Sequence, residues 1–290
     1  MTGRTASAIL SPMASEPTAA AFLKRLDEHR DDGELRKYQR YFRFDADDQD
    51  PDDYFVGVRM GTVFSLAKEF TAMDLDQIEV LMESPVHEAR AGAMSIMEKK
   101  ARHRGATPEQ IGALAELYLR RHDRVDNWDL VDLAAHHVLG RHLNGRPRDV
   151  LYDLARSDNP WERRTAIVAT AHFIRHRDLD DTFALSGILV HDDHELVQKA
   201  VGWMLRAAGD VDRVRLLGFL DAHAAGAPRP LLRAAVEKLP PDRRASPGTA
   251  GAAEGVGPAP SAQDQRGSWH ASARPSARTP SGKDPGSGPA

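Results

Sequence analysis

The sequence predicts an all-α protein built as a stack of antiparallel helix pairs. Three observations carry this. Apolar residues recur at helical spacing along most of the chain, strand-like alternation is absent, and helix-capping residues punctuate the pattern at short intervals. Thr62 precedes a stripe of Val63, Leu66, Ala67 and Phe70, and Ser84-Pro85 opens another with Ala89, Ala93, Ile96 and Met97. Thr107-Pro108-Glu109-Gln110 combines capping-box spacing with proline at the first helical position, ahead of Ile111, Leu114, Ala115 and Tyr118. Asp126 or Asn127 can cap the helix that carries Trp128, and Asn159-Pro160 starts the next. Further stripes run through Leu196, Ala200 and Met204, through Val211, Val214 and Leu217, and through Leu231, Ala235 and Leu239. Gly209 is expected to end the helix before it. About a dozen helices of 9–18 residues follow from this pattern, joined by short turns that make neighbours antiparallel.

Composition sets the bounds. The chain has 290 residues, 41% hydrophobic and 28% charged, enough apolar material for a sizeable core. Cysteine is absent, which excludes disulfides, thiol nucleophiles and cysteine-held metals and fits a reducing compartment. No apolar run reaches the roughly 18 residues of a membrane span, and residues 1–17 lack a secretory apolar core. A cytoplasmic protein, free of membranes, is expected. Residues 1–14 and 244–290 are expected to be disordered, the latter rich in Ala, Gly, Pro and Ser. The folded domain is then 15–243, interrupted by one longer acidic loop at Asp45–Asp53. The net charge of −4 is unevenly spread: residues 26–53 hold 11 acids and 5 bases, whereas 141–177 hold 8 arginines and 4 acids. Polyanion binding depends on the local field, so DNA stays open as a partner.

Trp128, Arg164 and Trp203 stand 36 and 39 residues apart, the length of two helices and two turns. The architecture expected is therefore an α-solenoid of HEAT-like antiparallel helix pairs, curved around a concave face, with an irregular bundle as the alternative. Trp128 and Asp132 lie four residues apart, about 40° around the helix and about 6 Å along it, so an indole and a carboxylate share one face. A carboxylate against an aromatic wall can stabilise developing positive charge. The plainer reading, which spacing alone favours, packs Trp128 in the core and gives Asp132 a hydrogen bond between helices. Trp203 falls about 100° from the core residue Met204, beside Lys199 and Arg206. That flank suits a sugar next to phosphates, or equally a tryptophan half-buried between helices. Arg163 and Arg164 occupy the first turns of their helix, where the dipole does not favour cations, so they better suit an external anion, although a solvated face is the commoner setting.

Other chemistry finds little support. The 13 histidines make no HExxH motif: His136 and His137 should diverge as neighbours on a helix, and His172 with His176 lacks a third ligand. No metal or cofactor is expected. Phosphate-cradling glycine loops and nucleophile elbows are missing from the sequence.

An ordered set of blocks adds a resemblance. These are Tyr41-Phe42, Phe55-Val56-Gly57-Val58-Arg59, Leu66-Ala67-Lys68-Glu69-Phe70, His87-Glu88-Ala89-Arg90, Asn127-Trp128-Asp129-Leu130-Val131-Asp132, Asn159-Pro160-Trp161-Glu162-Arg163-Arg164, Lys199 to Arg206, and Leu232 to Leu239. In this order they resemble the AlkD-like DNA alkylation repair family of HEAT-like glycosylases. The resemblance implies a monofunctional bacterial enzyme that hydrolyses the N-glycosidic bond of cationic alkylpurines, N3-methyladenine and N7-methylguanine, in duplex DNA, and a monomer is expected. It implies Asp132 as the catalytic carboxylate and Trp128 and Trp203 as the aromatic pair against the lesion. Arg164 becomes the cation near the phosphate, with Arg163, Lys199 and Arg206 as further DNA contacts. Such a base is already a cationic leaving group, so the demanding part is the oxocarbenium-like sugar, which a carboxylate and indole faces stabilise. Two alternatives remain: a non-catalytic protein that binds distorted or branched DNA, and a protein-interaction solenoid.

Overall fold

The computed structural model describes residues 17–41 and 53–239. The expected disordered ends, the block Tyr41-Phe42 beyond its helical backbone, and the acidic loop apart from Asp53 lie outside the described residues.

Several of the helices start at a side-chain cap. In chain order they are α1 (Ala19–Asp27), α2 (Asp32–Tyr41), α3 (Met60–Glu69), α4 (Leu75–Met82), α5 (His87–Arg102), α6 (Pro108–Arg120), α7 (Trp128–Ala134) and α8 (Leu139–His142). They continue as α9 (Asp149–Leu154), α10 (Pro160–Ala169), α11 (Ala171–Arg175), α12 (Asp180–Leu189), α13 (Glu195–Val211), α14 (Arg213–His223) and α15 (Arg229–Val236). Thr107 and Gln110 form the reciprocal capping box. Asn127 caps α7 by accepting from the Trp128 amide at 2.8 Å, and Asn159 caps α10 by accepting from the Trp161 amide at 2.9 Å. Among the described residues the only β-type pairing is one isolated bridge, Tyr54 to Val86.

Three local expectations are corrected. Several helices are shorter than nine residues, among them α7, α8 and α11, where the runs at 128–142 and 160–175 break at the turns after Ala134 and at Thr170. Helix α13 continues past Gly209 to Val211; that glycine serves close packing, since a Cβ there would lie 2.2 Å from Leu216 of α14. In α14 the buried stripe is Leu216 and Leu220, and Val214 is 81% exposed. Apolar residues surround that short helix on several sides, so periodicity alone misassigned its inner face.

The helices pack in sequence. One row runs α3 on α5, α5 on α7, α7 on α10, α10 on α13 and α13 on α15, while α4, α6, α12 and α14 pack against members of that row from their own pairs. Each pair touches its neighbours in the chain, the nearest-neighbour pattern of a solenoid-like all-α fold. The buried stripes are those the sequence marked: Val63, Leu66 and Ala67, then Ile111, Leu114, Ala115 and Tyr118, and later Leu231, Ala235 and Leu239. Helix α5 is buried on all sides from His87 to Met97, so it forms the axis of the N-terminal half. Its Glu88 is fully buried and accepts from the amides of Val56, Gly57 and Val58 at 2.8–3.1 Å, fixing the strap that leads into α3. No helix among the described residues is long and apolar enough to cross a membrane.

Candidate active site

A repeated hydrogen bond sets the register of the row. At its start a long side chain reaches back six residues to a carbonyl ahead of the helix. Arg90 donates to Ser84 O at 2.9 Å in α5, Arg163 to Ser157 O at 2.9 Å in α10, and Gln198 to Asp192 O at 2.7 Å in α13. These carbonyls precede the hydrogen-bonded turns, so each bond gives an acceptor outside the helix a partner, Ser84 O accepting from Arg124 as well. The arginines also reach forward to the next pair. Arg90 bonds Asp126 at 3.1 Å, and Arg163 bonds Asp192 at 2.7 and 3.2 Å. The result is a ladder whose rungs join successive helices.

Helix α7 breaks the ladder. The place that Arg90, Arg163 and Gln198 hold four residues after their N-caps is taken here by Val131, and the next residue, Asp132, is a carboxylate. An ionised carboxylate can only accept. It draws in Arg164 of α10 instead, whose Nη2 meets its two oxygens at 2.8 and 2.9 Å and whose Nε meets Oδ1 at 3.1 Å. The remaining guanidinium nitrogen, Nη1, donates to the Leu196 carbonyl at the start of α13. One buried arginine therefore ties α7, α10 and α13 together around the acid. Its side chain is 5% exposed, that of Asp132 15%.

The neighbourhood holds this pair firmly. Next to Arg164, the Thr165 hydroxyl bonds Tyr118 Oη at 2.9 Å and His122 Nε2 at 2.8 Å, all buried. Burial pushes His122 down to about 4, so it is neutral at pH 7. Burial and, more weakly, the charge on Asp132 raise Tyr118 above its ordinary value, against the opposing bond from Thr165. On the other side of α7, buried Asp129 bonds His87 at 2.7 Å, and Phe55 stacks on that imidazole with ring centroids 4.3 Å apart. Asp126, the alternative cap, pairs with Arg90; burial and a bond shared with Asp53 push it up to about 6.

The predicted residues divide into groups. Asp132 and Arg164 come together, so the plainer reading of Asp132 also holds: it does bond between helices. Trp128 and Trp203 are both half-buried, on the two helices that flank α10. They do not occupy matching repeat positions, as the spacing suggested. Trp128 is the first residue of α7, Arg164 lies in the second turn of α10, and Trp203 sits midway along α13. Arg163 is turned away from this cluster, clamped to Asp192, Asp193 and two carbonyls. Lys199 pairs with Glu195 at 2.5 Å on the exposed side of α13, a weak contact that an anion can replace. Arg206 pairs with Glu237, and burial lowers its guanidinium from the ordinary value.

The sequence profile of the DNA alkylation repair enzyme family matches residues 22–239. The chain belongs to this family. Among solved structures, a predicted DNA alkylation repair enzyme from Enterococcus faecalis is similar in fold. The TM-score is 0.55 at 15% identity, over 73% of this chain and 97% of that one. No curated protein matches the chain. The match spans the strap, the ladder and the Asp132–Arg164 pair, so the candidate site lies wholly within the DNA alkylation repair region.

Sequence reasoning missed the ladder and the Tyr118–Thr165–His122 network. A signal for the first was present. Ser84/Arg90, Ser157/Arg163 and Asp192/Gln198 share one spacing, and in α7 the matching residue is the apolar Val131. Nothing in the spacing announced the second, because Tyr118 and Thr165 meet only across the packed helices. His136 and His137, expected to diverge, have ring centroids 3.7 Å apart because the chain leaves the helix after Ala134.

Proposed function

We propose that the chain is a monofunctional DNA glycosylase that hydrolyses the N-glycosidic bond of cationic alkylpurines, N3-methyladenine and N7-methylguanine, in duplex DNA. The observation that carries this reading is Asp132 itself, a carboxylate 15% exposed that a buried arginine from the next helix of the row holds by three hydrogen bonds.

The C1′–N bond breaks with its electron pair moving to the base, which neutralises the ring cation. Positive charge passes to the sugar, where Asp132 and the faces of Trp128 and Trp203 stabilise it. Water then bonds to C1′ and releases a proton, leaving free base and an abasic site. Arg164 acts here as a positioning group, keeping Asp132 oriented; a phosphate that reached it would share it with the acid. Lys199 and Arg206, four residues before and three after Trp203 on α13, exchange their partners Glu195 and Glu237 for the DNA backbone. Arg163 contributes by fixing the start of α13. The chain acts as a monomer in the cytoplasm, at the nucleoid, with no cofactor.

One observation favours a second reading. The charge of Asp132 already faces a guanidinium, which suits a protein that binds distorted or branched DNA without catalysis. The test is to incubate methylated duplex with the protein and assay free modified base, with four-way-junction binding measured alongside. Release of N7-methylguanine supports the glycosylase. Tight junction binding without release supports the alternative.

A further inference from the structure

Helix α7 carries Trp128 and Asp132 but is only seven residues long, too short to hold its own shape in water. Its orientation comes from its neighbours. From Asp126 to Asp132 every third residue is an acid, and each acid is met by a side chain of a flanking helix. Arg90 of α5 bonds Asp126 at 3.1 Å, His87 of α5 bonds Asp129 at 2.7 Å, and Arg164 of α10 bonds Asp132 at 2.8 Å. The first bond lies ahead of the helix and the third belongs to the candidate site. The middle one, in the first turn of α7, plays no part in the chemistry proposed above.

The Asp129 and His87 side chains are only 1% and 3% exposed. An acid in the first turn of a helix is ordinarily explained by the dipole, but a solvated acid serves the dipole as well as a buried one. Packing does not require the pair either, because two apolar side chains fill such a space without the desolvation cost. What the pair adds is direction. The imidazole is itself clamped. Tyr54 N donates to Pro85 O and His87 N donates to Tyr54 O, both at 2.9 Å, which lays Phe55 on the ring with centroids 4.3 Å apart and planes inclined by 22°. Glu88 holds the next three amides of the strap, so Phe55 cannot slide along it.

The freedom that remains to α7 is rotation about its axis. Asp129 lies about 60° around the helix from Asp132 and about 100° from Trp128. Helices α5 and α10 both pack on α7, so His87 and Arg164 hold it from two different neighbours. Side-chain tips stand about 6 Å from a helix axis, so a roll of about 20° moves them by about 2 Å. A misplacement of about 1 Å can slow a reaction by about 100-fold. We infer that His87 is a positioning residue for the reaction: through Asp129 it fixes the rotation of α7 and with it the place of Trp128. The effect on catalysis rests on the function proposed above; the orientation of Trp128 does not.

The experiment uses the full chain with 5-fluorotryptophan in place of tryptophan, the Trp128 fluorine resonance being assigned by its loss in Trp128→Phe. The deciding variant is the apolar pair, His87→Leu with Asp129→Leu, which leaves no stranded carboxyl. His87→Gln keeps a donor in the same region and serves as the rescue. The apolar pair should melt within about 5 °C of wild type and show a displaced Trp128 resonance. Its single-turnover release of N7-methylguanine from methylated duplex should be slower by roughly 10- to 100-fold, with duplex affinity within about two-fold. His87→Gln should restore the resonance and bring release to within about three-fold of wild type. An unchanged resonance with wild-type release in the apolar pair would overturn the inference. An apolar pair that fails to fold, or release in both variants that falls only in step with melting temperature, would overturn it too, since either marks a purely structural pair. The two proposals separate. A displaced resonance with no base release by the wild type keeps His87 as the tether of Trp128 and removes the glycosylase. Equal release by wild type and the apolar pair does the reverse.

Discussion

Replacing Asp132 with asparagine should cost stability as well as activity, and the two costs have one structural origin. The substitution strands the Arg164 guanidinium, whose side chain is 5% exposed, with the Leu196 carbonyl and one amide oxygen. Removing one member of a buried ion pair costs about 3–5 kcal/mol. Asp132 is 15% exposed and asparagine still accepts a bond, so the cost here falls below that range, to about 2 kcal/mol. For a domain of this size that lowers the melting temperature by about 4–8 °C. The double variant Asp132→Asn with Arg164→Met removes the stranded charge while filling the space of its stem. It should recover about half of the loss, giving a coupling energy of about 1–3 kcal/mol. Thermal and urea melts of the four proteins complete the cycle. If Asp132→Asn melts within about 1 °C of wild type, Arg164 does not depend on the carboxylate and the positioning role fails.

Two further predictions test the surroundings. His122 is held near 4 in the folded chain and returns to about 6.5 when unfolded, so the unfolded state binds the proton first. Its contribution is intact above about pH 6.5, declines on acidification and is lost by about pH 4, for a total of about 3 kcal/mol. Urea melts at pH 7 and 4.5 should show a smaller acid loss for His122→Gln than for wild type; an equal loss in both would exclude His122. Gly202 stands beside Trp203, and a Cβ there would lie 2.3 Å from Leu231 O and 2.7 Å from the Ala234 Cβ of α15. Gly202→Ala should therefore destabilise by about 1–3 kcal/mol. Gly218→Ala, with open space around it, should stabilise α14 by about 0.5–1 kcal/mol. Differential scanning fluorimetry distinguishes them, and equal shifts would contradict the packing described.

Much of the fold was legible because its causes are local. Thr107, Asn127 and Asn159 act on amides within three residues, and the stripe of α6 needs only its own periodicity. Errors arose where tertiary contact decides. Gly209 has the chemistry of a helix end, but Leu216 needs it as a bare backbone. In α14, Val214 and Leu216 are comparably apolar, and only the neighbouring helix selects which is buried. The site was legible in its acid and less so in its arginines. Asp132 and Arg164 were both named, but not that each is the other's partner, because a bond between residues 32 apart is a property of helix stacking. Arg163 could not be separated from Arg164 by type; a 100° rotation on the helix sends one to Asp192 and the other to Asp132.

The most direct measurement is single-turnover release of N7-methylguanine from methylated duplex DNA by wild type and Asp132→Asn. It is run well below the melting temperature of the variant, with duplex affinity determined in parallel. The account predicts base release and an abasic site from wild type. For the variant it predicts affinity within about two-fold and release slower by roughly 100-fold or more. Release at the wild-type rate from the asparagine protein would contradict it.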